Sequence, residues 1–102
     1  MKRLEGNVTI ITGGGKGIGF GIAQAFAAEG SDLVITGRTE SRLISAKERL
    51  EKEFGISVLP IVADGADENA IKEVVRQTVE TFGKINTLVN NHKCMKPNLV
   101  KC

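Results

Sequence analysis

Short apolar runs alternate along the chain with longer segments of helical period. Val8 to Thr12 is apolar or Thr at every position and lies between Gly6-Asn7 and Gly13, which predicts a strand buried on both faces. From Ile18 the period turns helical, with Ile18, Ile22, Ala25, Phe26 and Glu29 at helical spacing and Gly30 as the stop. Asp32 to Thr36 repeats the strand pattern and ends at Gly37. Ser41 to Phe54 places Leu43, Ala46, Leu50 and Phe54 on one face and charges elsewhere, an amphipathic helix closed by Gly55. Ser57 to Val62 is a third strand, and Pro60 assigns it to a sheet edge, where a missing N–H is tolerated. Asp67 suits the cap of a third helix whose stripe is Ile71, Val74, Val75, Thr78, Val79 and Phe82, with Gly83 as its stop. Ile85 to Asn90 is a fourth strand.

The order β-α-β-α-β-α-β implies an α/β fold with a parallel sheet. A sheet that starts centrally and reverses after its third strand has the order 3-2-1-4, the first half of a Rossmann-like sheet. Right-handed crossovers then put the first two helices on one face and the third on the other. Residues 1–91 form one domain in this reading. From His92 to Cys102 neither period persists, which predicts an irregular tail.

Composition narrows the function classes. Hydrophobic residues are 41% and charged residues 25% of the 102, ordinary globular values, and four Phe without Trp or Tyr give an aliphatic core. The net charge of +2 comes from 14 basic and 12 acidic residues spread along the chain, so no basic tract marks a nucleic-acid or membrane footprint. No apolar run approaches the roughly 18 residues of a membrane span, and the start is not a signal peptide, which makes a cytoplasmic protein the simple expectation. Cys94 and Cys102 leave the core without a disulfide, in keeping with a reducing compartment.

The candidate chemistry lies in Thr12-Gly13-Gly14-Gly15-Lys16-Gly17-Ile18-Gly19. A glycine turn between a strand and a helix binds phosphate: Gly13 permits the tight turn, Gly17 a close approach of pyrophosphate, and Gly19 close helix packing. Free N–H groups and the helix dipole near Gly17 then hold the anion. Lys16 is followed by Gly17 rather than Ser or Thr, which excludes a Walker loop. Gly13, Gly15, Lys16, Gly17, Ile18 and Gly19 are the candidate contacts of the turn. At the end of the second strand, an acidic residue would accept from a ribose 2′-hydroxyl, but Gly37-Arg38-Thr39 stands there, and a guanidinium suits a 2′-phosphate. Arg38 thus favours NADP(H) over NAD, with Thr39 beside it and Lys16 as a second cation. The plain alternative is that both cations are solvated surface residues.

Thr12-Gly13-x-x-x-Gly17-x-Gly19, then Gly37-Arg38, Ala63-Asp64, and Leu88-Val89-Asn90-Asn91 together resemble the cofactor half of the classical short-chain dehydrogenases/reductases. The resemblance covers Leu4 to Asn91. It implies that Asp64 hydrogen-bonds the adenine, that Gly65 offers a backbone N–H to the ring, and that Asn90 stabilises the strand end beside the ribose. By itself Asp64 reads equally as a loop residue or a helix cap. In the family the two Asn are followed by Ala-Gly, where this chain has His92-Lys93. Members of the family are longer, and their catalytic Ser and Tyr-x-x-x-Lys lie further along; this sequence contains no Tyr.

The resemblance therefore implies an NADP(H)-binding portion of an oxidoreductase that moves hydride between nicotinamide and a carbonyl or alcohol, with no catalytic residue assigned here. A non-catalytic nucleotide-binding or interaction module is the other reading. His92, Cys94 and Cys102 do not match a zinc spacing, so no metal is expected. A half-sheet leaves apolar surface and the edge of the fourth strand uncovered, which predicts marginal stability, self-association, or a need for NADP(H) to hold the fold.

Overall fold

The computed structural model describes residues 4–13, 17–63 and 67–90. Seven elements alternate along it: β1 (Val8–Thr12), α1 (Gly17–Ala28), β2 (Asp32–Gly37), α2 (Glu40–Phe54), β3 (Val58–Val62), α3 (Glu68–Phe82) and β4 (Thr87–Asn90). The strands form one parallel sheet in the order β3-β2-β1-β4. This is the Rossmann-like half-sheet that the alternating pattern implies, with β3 and its Pro60 at an edge.

Two apolar clusters sandwich the sheet. On one face Ile11, Leu33, Ile35 and Val58 pack with Ala23 and Ala27 of α1 and Leu43, Ala46 and Leu50 of α2. On the other, Val8, Ile10, Val34 and Ile61 pack with Val74 of α3. Two helices thus cover one face and one the other. Gly55 and Gly83 end α2 and α3 in the left-handed conformation, each donating its N–H back to the last turn. Asp67 caps α3, its Oδ1 accepting from Asn69 N–H at 2.9 Å and Ala70 N–H at 3.4 Å.

Two helices differ from the expected stripes. In α1 the buried residues are Gly19, Ala23 and Ala27, four apart, whereas Ile18 is 76% exposed and Ala25 is also exposed. Small side chains bring α1 close onto the sheet, and Phe20, Ile22 and Phe26 flank the contact partly buried. In α3, Val74 and Thr78 are buried, but Val75 is exposed and Val79 is 47% exposed. The apolar stripe of α3 is wider than its contact with the sheet. Leu88 of β4 is likewise 52% exposed.

The fourth strand begins at Thr87, not Ile85, because Asn86 joins the sheet through its side chain. Asn86 Oδ1 accepts from Val8 N–H at 2.8 Å, and Asn86 N–H donates to Val8 O at 2.9 Å. This rung fastens β4 to β1. At the same amino end of the sheet, Thr9 and Ser31 share a buried hydroxyl–hydroxyl bond of 2.8 Å.

Candidate nucleotide-binding site

Because the strands run parallel, their carboxyl ends form one rim. Thr12 of β1 stands opposite Thr36 of β2 and Asn90 of β4, and Gly37 stands opposite Val62 of β3. The rim therefore collects Gly13, the Arg38-Thr39 connection, Ala63 and Asn90. Gly15, Lys16, Asp64 and Gly65 lie outside the described residues. Of Asn90, the backbone is described and sits in register with Thr12.

The start of the glycine turn is tied to both neighbouring strands. Gly13 N–H donates to Thr36 O at 2.8 Å, and Thr12 Oγ1 donates to Val89 O at 3.4 Å. The turn leads into α1 at Gly17, whose φ of 61° lies in the left-handed region, and a Cβ built there meets nothing within 4 Å. The first turn of α1 carries no acidic side chain, so its unpaired N–H groups and dipole are not offset by a carboxylate. Gly19 is buried one turn in, and Ile18 points its exposed side chain from the same end.

The second half of the rim depends on Gly37. A Cβ there would come within 3.3 Å of Leu43 Cδ2, so the first turn of α2 packs directly across the end of β2. Arg38 and Thr39 form the connection and both are exposed. Among the described residues Arg38 makes no ion pair. Thr39 occupies the N-cap of α2 in an extended conformation, yet its side chain makes no cap hydrogen bond, in contrast to Asp67 on α3. A guanidinium, a hydroxyl and the N-terminus of a 15-residue helix therefore meet at one exposed corner. That donor set fits a phosphate group.

One feature of the rim was not legible as more than a strand position. Thr36 is fully buried, and its Oγ1 has no hydrogen-bond partner among the described residues. Such an orphaned hydroxyl costs about 1–3 kcal/mol and singles out a position for explanation. Only burial, which the strand pattern implies, could have pointed to it. Among the described residues no group of His, Cys, Asp and Glu is arranged to hold a metal ion, and no helix is long and apolar enough to cross a membrane.

Known proteins share both the sequence and the fold. The sequence profile described as short chain dehydrogenase matches residues 7–98. The 12alpha-hydroxysteroid dehydrogenase of Clostridium sp. is 50% identical over 97 residues, covering 89% of this chain and 38% of that protein. The L-sorbose reductase of Gluconobacter frateurii, solved with NADPH and L-sorbose, superposes with a TM-score of 0.87 at 35% identity, covering 98% of this chain and 38% of that one. An NAD+-bound xylitol dehydrogenase superposes with a TM-score of 0.80 at 30% identity, covering 85% of this chain and 33% of that one. The chain thus spans little more than a third of the length of the relatives it matches. With its sheet order, its glycine turn and these matches in agreement, the chain belongs to the short-chain dehydrogenase family of oxidoreductases.

Proposed function

We propose that this chain is the NADP(H)-binding portion of a short-chain dehydrogenase/reductase. The observation that carries the choice of cofactor is Arg38, exposed and without an ion pair among the described residues, beside the uncapped N-terminus of α2. A 2′-phosphate would satisfy the guanidinium and the Thr39 hydroxyl at that corner, and Lys16 would add a second charge. The pyrophosphate would lie against Gly13, Gly15 and Gly17 with the N–H groups of α1 directed at it. Asp64, Gly65 and Asn90 would line the adenosine end. The NADPH bound in the sorbose reductase supports this reading, and the NAD+ bound in the xylitol dehydrogenase supports only the wider class of nicotinamide dinucleotides.

When bound, the nicotinamide supplies or accepts a hydride at a carbonyl or alcohol carbon. The residues of this chain bind and orient the dinucleotide; none of them supplies the acid or base. Without a Tyr, no residue here can take the part that the family gives to its Tyr. The test is a fluorescence titration with NADPH of the parent and of Arg38→Ala, run beside an assay of NADPH consumption. Binding that weakens roughly 10- to 100-fold in the variant supports the reading, from the 1.5–3 kcal/mol of a charge-assisted bond. Equal affinity of the two proteins refutes the role of Arg38, and sustained turnover by this chain refutes the assignment of chemistry elsewhere.

A further inference from the structure

Among the described residues β3 is the outermost strand on its side of the sheet, and an outermost strand presents N–H and C=O groups that invite a strand from another chain. In a parallel strand, alternate residues direct both backbone groups to the same side. Leu33 N–H donates to Ser57 O and Ala63 N–H donates to Gly37 O, so the odd-numbered residues from 57 to 63 face β2. Val58, Pro60 and Val62 therefore face outward. Each meets an incoming strand differently.

Val58 N–H already donates to Glu51 Oε2 at 2.9 Å. The other oxygen of that carboxylate accepts from Lys47 Nζ at 2.7 Å, one helical turn back, which fixes its orientation. Glu51 reaches the strand because it sits in the last turn of α2 and the chain reverses at Gly55 within three residues of β3. Pro60 has no N–H to donate, and its ring stands where a partner strand would approach. Val62, 53% exposed, is the one outward position with neither device.

We propose that Glu51 and Pro60 together close the β3 edge to strand addition, so that neither a second copy of this chain nor an extended peptide extends the sheet on that side. Of the three outward positions, two offer no free donor: the Val58 N–H is taken by a carboxylate held in place, and Pro60 has no N–H. The α2 helix thereby does two jobs: its apolar face covers the sheet, and its last turn seals the strand beside it. Self-association of this chain, where it occurs, uses other surfaces.

The test is the double variant Glu51→Ala with Pro60→Thr, compared with the parent by sedimentation velocity over a range of concentrations, with far-ultraviolet circular dichroism to confirm folding. Each restored N–H is worth roughly two- to tenfold in association, so the folded double variant should associate about 4- to 100-fold more tightly than the parent. Adding Val62→Lys to the double variant should reverse the gain by placing a charge on the edge. A folded double variant that sediments like the parent overturns the proposal, and so does a gain that Val62→Lys leaves intact. Should the double variant unfold, amide exchange in the parent decides. Slow exchange of the Val58 N–H supports the carboxylate seal, and exchange at the rate of an unprotected edge amide overturns it.

Discussion

Replacing Asn86 with Ala should loosen β4 more than its position outside the strand suggests. The side chain provides the acceptor for Val8 N–H at 2.8 Å, a partly buried donor at the start of β1. Truncation leaves that donor unsatisfied, which costs about 1–3 kcal/mol, while a normal surface substitution stays within about 0.5 kcal/mol. β4 has four residues and, among the described residues, pairs with β1 alone, so little else there compensates. For a domain of this size the loss corresponds to roughly 5–15 °C in melting temperature. Asn86→Asp retains an acceptor oxygen and should recover most of it. Urea unfolding followed by circular dichroism measures the difference, and exchange of the Val8 amide localises it. Asn90 stands in register with Thr12 at the far end of the same strand, so the variant should also weaken dinucleotide binding while leaving the preference between NADPH and NADH unchanged. An Ala variant within 0.5 kcal/mol of the parent, with Val8 still protected, would show that the rung carries no load.

Thr36→Val should raise stability by about 1–3 kcal/mol, because it removes a buried orphan hydroxyl and keeps the shape; a loss of stability in thermal melts would mean that the hydroxyl has a partner. The carboxyl of Glu51 is held below its ordinary 4.5 chiefly by the hydrogen bond from Lys47; burial opposes this, and the hydrogen bond from Val58 N–H adds a smaller lowering. Its folded pKa is depressed, so its contribution is present above pH 4.5 and is lost as pH falls through the lowered value. Acid titration of the parent against Glu51→Gln should show the two stabilities converging below pH 4.5, and parallel curves would refute the assignment. Glu73, lowered to about 2 by Arg76 and Gln77, lies on the exposed face of α3, where solvent screens the pair, and Glu73→Gln should leave the melting temperature almost unchanged. The exposed Val75, Val79 and Leu88 should drive concentration-dependent self-association in sedimentation, and a monomer at every concentration would count against that.

The sheet order was legible because each strand is a short β-branched run and each helix ends on a glycine or begins on a capping residue. Asp67, Gly55 and Gly83 all act as their positions suggest. The α1 face was not legible, since periodicity weights large apolar residues and α1 buries Gly19, Ala23 and Ala27 instead. Val75 and Val79 belong to the apolar stripe but not to the contact, a distinction that only the neighbouring elements decide. Asn86 reads as a turn residue, and its part in the sheet depends on a partner 78 residues away in the chain. At the site, Arg38 was conspicuous by its place after a strand. The missing cap at Thr39 and the packing of Leu43 across Gly37 required coordinates.

The most direct test of the central claim is a calorimetric titration of this chain with NADPH and, separately, with NADH. NADPH should bind at least tenfold more tightly, the difference of one charge-assisted phosphate contact at Arg38. Saturation at 100 times the dissociation constant should then add about 2.7 kcal/mol to stability. Equal affinities for the two would contradict the role given to Arg38, and no binding of either would contradict the site itself.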